Sequence, residues 1–229
     1  KWTTMGYTML TGMVWSVTQP LFARLSYNDP ERMQRVFRKM LRFTAFLSCP
    51  ALFGLALVAP EFITIAITDK WLTSARLMQL LCVGGAFVPI SSFYSNFIVS
   101  QGKSSTFMWN TIALCLVQLL LLVVMYPYGV TAMVVAYISA NTLWLFVWHW
   151  FVQRLIHLRL IDALRDVLPF ALLAAVAIFA AWGASLAVAE NIYASLAVKV
   201  IVAIAIYVLL LQLLGAQILK ECWGYIWRK

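Results

Sequence analysis

The run from Thr106 to Pro127, TFMWNTIALCLVQLLLLVVMYP, contains no charged side chain. The hydrocarbon core of a bilayer is roughly 30 Å thick and takes about 20 apolar residues of helix to cross. Only helices and closed barrels satisfy their backbone polar groups inside lipid. Barrel strands alternate in polarity with period two. The centre of this run, Leu119-Leu120-Leu121-Leu122-Val123-Val124, does not alternate. It therefore predicts a membrane-spanning helix, and an all-α polytopic membrane protein around it.

Working outward, similar runs cover roughly residues 3–24, 43–67, 77–100, 130–153, 167–188 and 192–215, about seven spans in all. The rest of the composition agrees. The 229 residues are 64% hydrophobic and only 11% charged, against about 25% charged in a soluble domain, and the mean hydropathy is +0.89. The connections are short. Tyr126-Pro127-Tyr128-Gly129 and Gln101-Gly102-Lys103-Ser104 are turns, and none of the loops could form a domain. Residues 1–153 divide naturally from residues 154–229, which hold two almost wholly apolar last spans and a tail.

The net charge of +9 does not point to nucleic acid, because the basic residues lie between apolar runs. Most of the seventeen fall on alternate connections: Arg24 to Arg42, Lys103, Arg154 to Arg165, and the tail. Lys1, Lys70, Arg76 and Lys199 fall on the other side. The positive-inside rule places the basic connections in the cytoplasm. Residue 1 is then expected outside and the C-terminus inside. Trp71, Trp148, Trp150, Trp223 and Trp227 lie near span ends and are expected to anchor at the headgroups. The four cysteines lack metal-ligand or disulfide spacing and are expected to be buried thiols.

Asp29-Pro30-Glu31 is a helix-start pattern. After it, Met33, Val36, Phe37, Met40 and Leu41 recur at helical spacing among Arg32, Arg35, Arg38, Lys39 and Arg42. This predicts a basic amphipathic helix at the membrane surface. It sets orientation by gripping anionic lipid, or it also attracts a pyrophosphate headgroup.

Polar side chains inside a span turn towards protein or water. Thr4, Thr8, Thr11, Thr18 and Gln19 fall near one face of the first span, followed by Pro20. The third carries Gly84-Gly85, Pro89, Ser92, Asn96 and Ser100, with Ser91, Tyr94 and Ser95 nearby. The fifth carries Ser139, Asn141 and Thr142. Small residues in the third span serve tight packing, cavity lining, or both. Lys199 is expected to snorkel outward, and Glu61 to be an interfacial carboxylate or, less expectedly, a coupling residue. Asp162 and Asp166 are read as a solvated pair, and His149 and His157 as structural. No catalytic, metal or cofactor motif stands in the chain, so an enzyme is not expected.

Gln19-Pro20-Leu21-Phe22-Ala23-Arg24-Leu25-Ser26, then Asp29-Pro30-Glu31-Arg32 and Phe37-Arg38-Lys39-Met40, resemble the start of the C-terminal half of polysaccharide flippases. These belong to the multidrug/oligosaccharidyl-lipid/polysaccharide exporter superfamily. Asp69-Lys70-Trp71 and Gln101-Gly102-Lys103 are similar to members that handle O-antigen, colanic acid or exopolysaccharide. The resemblance implies a two-lobed transporter with two extra C-terminal helices, of which this chain is the second part. It implies a missing N-terminal lobe upstream, membrane lipids as surroundings, and alternating access. The expected substrate is an undecaprenyl-diphosphate-linked oligosaccharide. On that reading Gln19, Ser92, Tyr94, Asn96 and Asn141 line a polar lane, and Arg24 and Lys103 meet the diphosphate. A multidrug exporter on the same fold would want a buried acidic residue, for which Glu61 is the one candidate. A membrane-embedded polysaccharide-assembly enzyme would want a sizeable outer loop, and a seven-helix receptor would not begin mid-protein.

Overall fold

A computed structural model describes residues 2–24, 30–66, 72–185 and 192–213. Among them the chain is helical, with no strand. The helices are α1 (Trp2–Arg24), α2 (Pro30–Ala66), α3 (Leu72–Gly85), α4 (Val88–Ser100), α5 (Ser104–Met125), α6 (Val130–Ile156), α7 (Leu160–Ser185) and α8 (Ile192–Leu213). Among the described residues, six spans are long and apolar enough to cross a membrane, with α3 and α4 together making one. The expected seventh, α1, has 23 residues, a length of about 34 Å at 1.5 Å per residue.

Two boundaries differ from the sequence reading, each for a physical reason. The basic surface helix and the second span are one continuous helix of 37 residues. Its apolar face does not lie on lipid: Phe37 and Leu41 are fully buried and Met33 nearly so. Phe37 meets Phe93 at 4.8 Å and Phe97 at 4.9 Å, and Phe22 meets Phe97 at 5.0 Å between ring centroids. This aromatic knot joins α1, α2 and α4, so the basic stretch is bolted into the protein core.

The third span is broken. Pro89 has no N–H to donate to the Gly85 carbonyl, and the chain closes the gap with a turn at Ala86–Phe87. There Ala86 donates to the Cys82 carbonyl at 3.1 Å and Phe87 to the Gly84 carbonyl at 3.2 Å. The axis resets at this point, which turns α4's polar face independently of α3.

Two prolines inside α2 raise the same problem. Pro50 orphans the Phe46 carbonyl and Pro60 orphans the Ala56 carbonyl, each four residues back. Neighbouring helices answer both. Tyr207 of α8 donates its hydroxyl to the Phe46 carbonyl at 3.1 Å. Gln79 of α3 donates its side-chain amide to the Ala56 carbonyl at 3.2 Å. An unpaired backbone group is costly in hydrocarbon, and a neighbour's side chain is one way to satisfy it.

α7 seats Ala174, Ala177 and Ala181 against its neighbours, all buried, and small residues let helices approach closely. The outer faces of α7 and α8, with Leu172, Phe179, Ile201 and Ile204, are exposed, as expected of lipid-facing spans. Trp148, expected at the headgroups, is instead buried and stacked on Phe107 at 6.1 Å. Trp150 remains exposed under the Arg154 guanidinium, 3.7 Å from its ring centre. Trp71, Trp223 and Trp227 lie outside the described residues. Cys49 and Cys82 are buried thiols, whereas Cys115 is exposed.

Candidate functional site

The break at Ala86–Phe87 and a close helix contact together build a polar cleft. A Cβ on Gly84 would stand 2.1 Å from Ile138 Cγ2, so only glycine allows α6 to approach α3 here. Asn141 follows Ile138 by three residues, on the same side of α6. Beyond the break, α4 turns Ser91, Ser92 and Ser95 towards the same space. The cleft has a volume of about 290 Å³, and Trp15, Thr111 and Asn141 complete its polar and aromatic wall. A second cleft of about 260 Å³ is lined by Thr3, Thr4, Tyr7 and Tyr137. Both include Gly84, Val88 and Asn141 in their walls, so they adjoin along α1. Neither wall contains a charged side chain.

Of the residues expected to line a lane, Ser92 and Asn141 meet in the first cleft. Asn141 spends one amide N–H on the Tyr137 carbonyl at 2.8 Å. Tyr94 faces a different, mainly apolar space together with His149, its hydroxyl 3.3 Å from His149 Nδ1. Asn96 is 1% exposed and donates its amide to Thr18 Oγ1 at 2.9 Å, tying α4 to α1. Its Oδ1 is buried without a hydrogen-bond partner. Lys103 is exposed at the start of α5. Gln19 and Arg24 belong to α1, but their side chains lie outside the described residues.

The charged residues within the helices are placed differently from the sequence reading. Lys199 does not snorkel: it is buried and forms an ion pair with Glu61 of α2. Ser195 adds a donor to the same carboxylate oxygen at 3.4 Å. A lone charge at the centre of a bilayer costs at least about 2.5–3.5 kcal/mol. Pairing inside the protein removes much of that cost, which explains why Lys199 turns inward.

Asp166 is not on a solvated face. Its side chain is 1% exposed and accepts from Arg38 Nε at 2.6 Å, Arg38 Nη2 at 3.1 Å and Arg42 Nε at 2.6 Å. Arg38 and Arg42 stand one helical turn apart on α2, so one carboxylate on α7 spans both. Sequence reasoning missed Asp166, Lys199, Gln79 and Tyr207 as ties between helices. For the last two a signal was present: a proline inside a span announces an orphaned carbonyl four residues earlier.

Residues 1–76 match the family model described as "Polysaccharide biosynthesis protein". The teichuronic acid biosynthesis protein TuaB of Bacillus subtilis is 25% identical over 176 residues, covering 76% of this chain and 36% of that protein. An uncharacterized membrane protein in the cps region of Klebsiella pneumoniae is 32% identical over 89 residues, 38% of this chain and 18% of that protein. The lipopolysaccharide biosynthesis protein WzxC of Escherichia coli is 27% identical over 94 residues, 41% of this chain and 19% of that protein. The chain thus spans little more than a third, or less, of the length of these relatives. No solved structure matches it. These matches bear out the resemblance carried by the Gln19–Ser26 and Asp29–Arg32 stretches.

Proposed function

We propose that this chain is the C-terminal part of a transporter akin to the polysaccharide flippases it resembles. It moves an undecaprenyl-diphosphate-linked oligosaccharide across the bacterial inner membrane by alternating access. The supporting observation is the uncharged cleft between α1, the α3–α4 break and α6, walled by Ser91, Ser92, Ser95, Thr111 and Asn141. Hydroxyls and an amide inside spanning helices offer hydrogen bonds to a sugar headgroup that lipid cannot offer. Without such a lane, a pyrophosphate would face the cost of a charge in hydrocarbon, at least about 2.5–3.5 kcal/mol for one charge. α1 contributes Trp15, Thr3, Thr4 and Tyr7 to the walls of the two adjoining clefts.

In this reading Ser92 and Asn141 contact the sugar and Gln19 lies further along the lane, whereas Tyr94 and Asn96 turn to other neighbours and hold helices together. Arg24 and Lys103 meet the diphosphate at the cytoplasmic end. The test uses the full-length protein with Ser92→Leu plus Asn141→Leu, and separately Arg24→Gln plus Lys103→Gln. Export of lipid-linked sugar is measured at matched protein levels. Both pairs are expected to lower export strongly. Undiminished export from the cleft pair would remove the cleft from the transport path.

A further inference from the structure

The two ion-pair sites lie at opposite ends of α2. Between Arg42 and Glu61 the sequence from Phe43 to Pro60 holds no charge, a stretch of about 27 Å at 1.5 Å per residue. That is close to the thickness of the hydrocarbon core. At one edge Asp166 of α7 holds Arg38 and Arg42. At the other edge Lys199 of α8 holds Glu61. Between them the Tyr207 hydroxyl of α8 holds the Phe46 carbonyl. Much of the rest of this interface among the described residues is apolar or small, with Ala174 and Ala177 buried in it, and helices in lipid associate by such packing together with polar ties. The polar ties fix α7 and α8 against α2 at three levels along its length.

We propose that α2, α7 and α8 travel as one braced body during transport, and that Glu61 is an anchor of this brace and not a coupling carboxylate. The last two helices are then a splint on the basic helix. A coupling role would require Glu61 to exchange its partner during the cycle. The Lys199 ammonium and, at 3.4 Å, the Ser195 hydroxyl both meet the same Glu61 oxygen, so the carboxylate is already engaged by α8.

The inference uses transport as a readout, so thermal unfolding of the purified full-length protein in detergent is followed in parallel and does not depend on the substrate. Glu61→Gln and Lys199→Met are expected to lower the melting temperature and to reduce export several-fold through lost protein. The exchange Glu61→Lys with Lys199→Glu should recover both. In a background lacking Cys49, Cys82, Cys115 and Cys222, the pair Glu61→Cys and Lys199→Cys is bridged with a short bifunctional thiol reagent. The bridged protein should melt later than the unbridged one and export at the rate of its cysteine-free parent. A bridged protein that is stable and amply present but silent in export would overturn the brace, since the helices must then part or the charges must act themselves. Single variants with unchanged melting would overturn it as well, and that result would leave the transport reading intact.

Discussion

The prolines of α2 give a prediction whose size can be worked out beforehand. Pro50 cannot donate to the Phe46 carbonyl, and the Tyr207 hydroxyl donates instead at 3.1 Å. Tyr207→Phe removes that donor and leaves a backbone acceptor between helices without a partner. A typical hydrogen bond contributes about 0.5–1.5 kcal/mol net, and a stranded buried acceptor costs about 1–3. Side-chain hydrogen bonds within membrane proteins average about 0.6 and reach about 1.7 kcal/mol. The expected loss for Tyr207→Phe is therefore about 1 kcal/mol. In a Pro50→Ala background the new N–H at position 50 can donate to the Phe46 carbonyl, so the same Tyr207→Phe change should cost almost nothing. The coupling energy of this double-mutant cycle is then about 1 kcal/mol, well above the roughly 0.3–0.5 within which independent changes add. A parallel cycle joins Pro60→Ala with Gln79→Leu through the Ala56 carbonyl, 3.2 Å from the Gln79 amide. Reversible unfolding in detergent measures both cycles. Strict additivity in both would refute the claim that these side chains replace missing helix hydrogen bonds.

Two further outcomes follow from contacts already described. Gly84→Ala drives a methyl group to 2.1 Å from Ile138 Cγ2, an overlap expected to cost about 1–3 kcal/mol; pairing it with Ile138→Ala should recover most of the loss in the same unfolding assay. Asp166→Asn strands two guanidiniums that are 30% and 40% exposed. Water reaches them, so the loss should be about 2 kcal/mol, below the roughly 3–5 of a fully buried pair, and equal destabilisation by Asp166→Asn in an Arg38→Gln/Arg42→Gln background would show that the carboxylate acts through other partners.

The helices were legible because lipid imposes a length. The runs at 106–127, 130–153 and 192–215 correspond to α5, α6 and α8 within a few residues. The polar faces of the third and fifth spans were legible for a related reason, since Ser92 and Asn141 have no favourable contact with acyl chains. The division of the third span was less so. Asn96, four residues from Ser92, was read into the same lane, yet it bonds Thr18 of α1. Helical spacing gives a residue's angle around its axis but not which neighbour stands there. The basic helix shows the same limit. Met33, Phe37 and Leu41 form an apolar stripe that suits a membrane surface as well as a protein core. Only the ring of Phe22, Phe93 and Phe97 around Phe37 decides for the core.

The ion pairs constrain the path of the chain in a way that the count of Lys and Arg does not. Arg38 and Arg42 begin the apolar part of α2, and their partner Asp166 stands near the start of α7. Glu61 stands near the end of α2, and its partner Lys199 near the start of α8. Partners must share a membrane edge, so an even number of crossings separates the start of α2 from the start of α7. With α2, α5 and α6 each crossing once, α3 and α4 must together cross once more. A chain that turned back at Ala86–Phe87 would put Asp166 at the opposite edge from its arginines. The same parity puts the start of α8 with the end of α2, as the Lys199 pair requires. The broken helix is therefore one interrupted crossing, and interruption without reversal is what allows a span to present Gly84 to α6 on one half and a serine face to the cleft on the other.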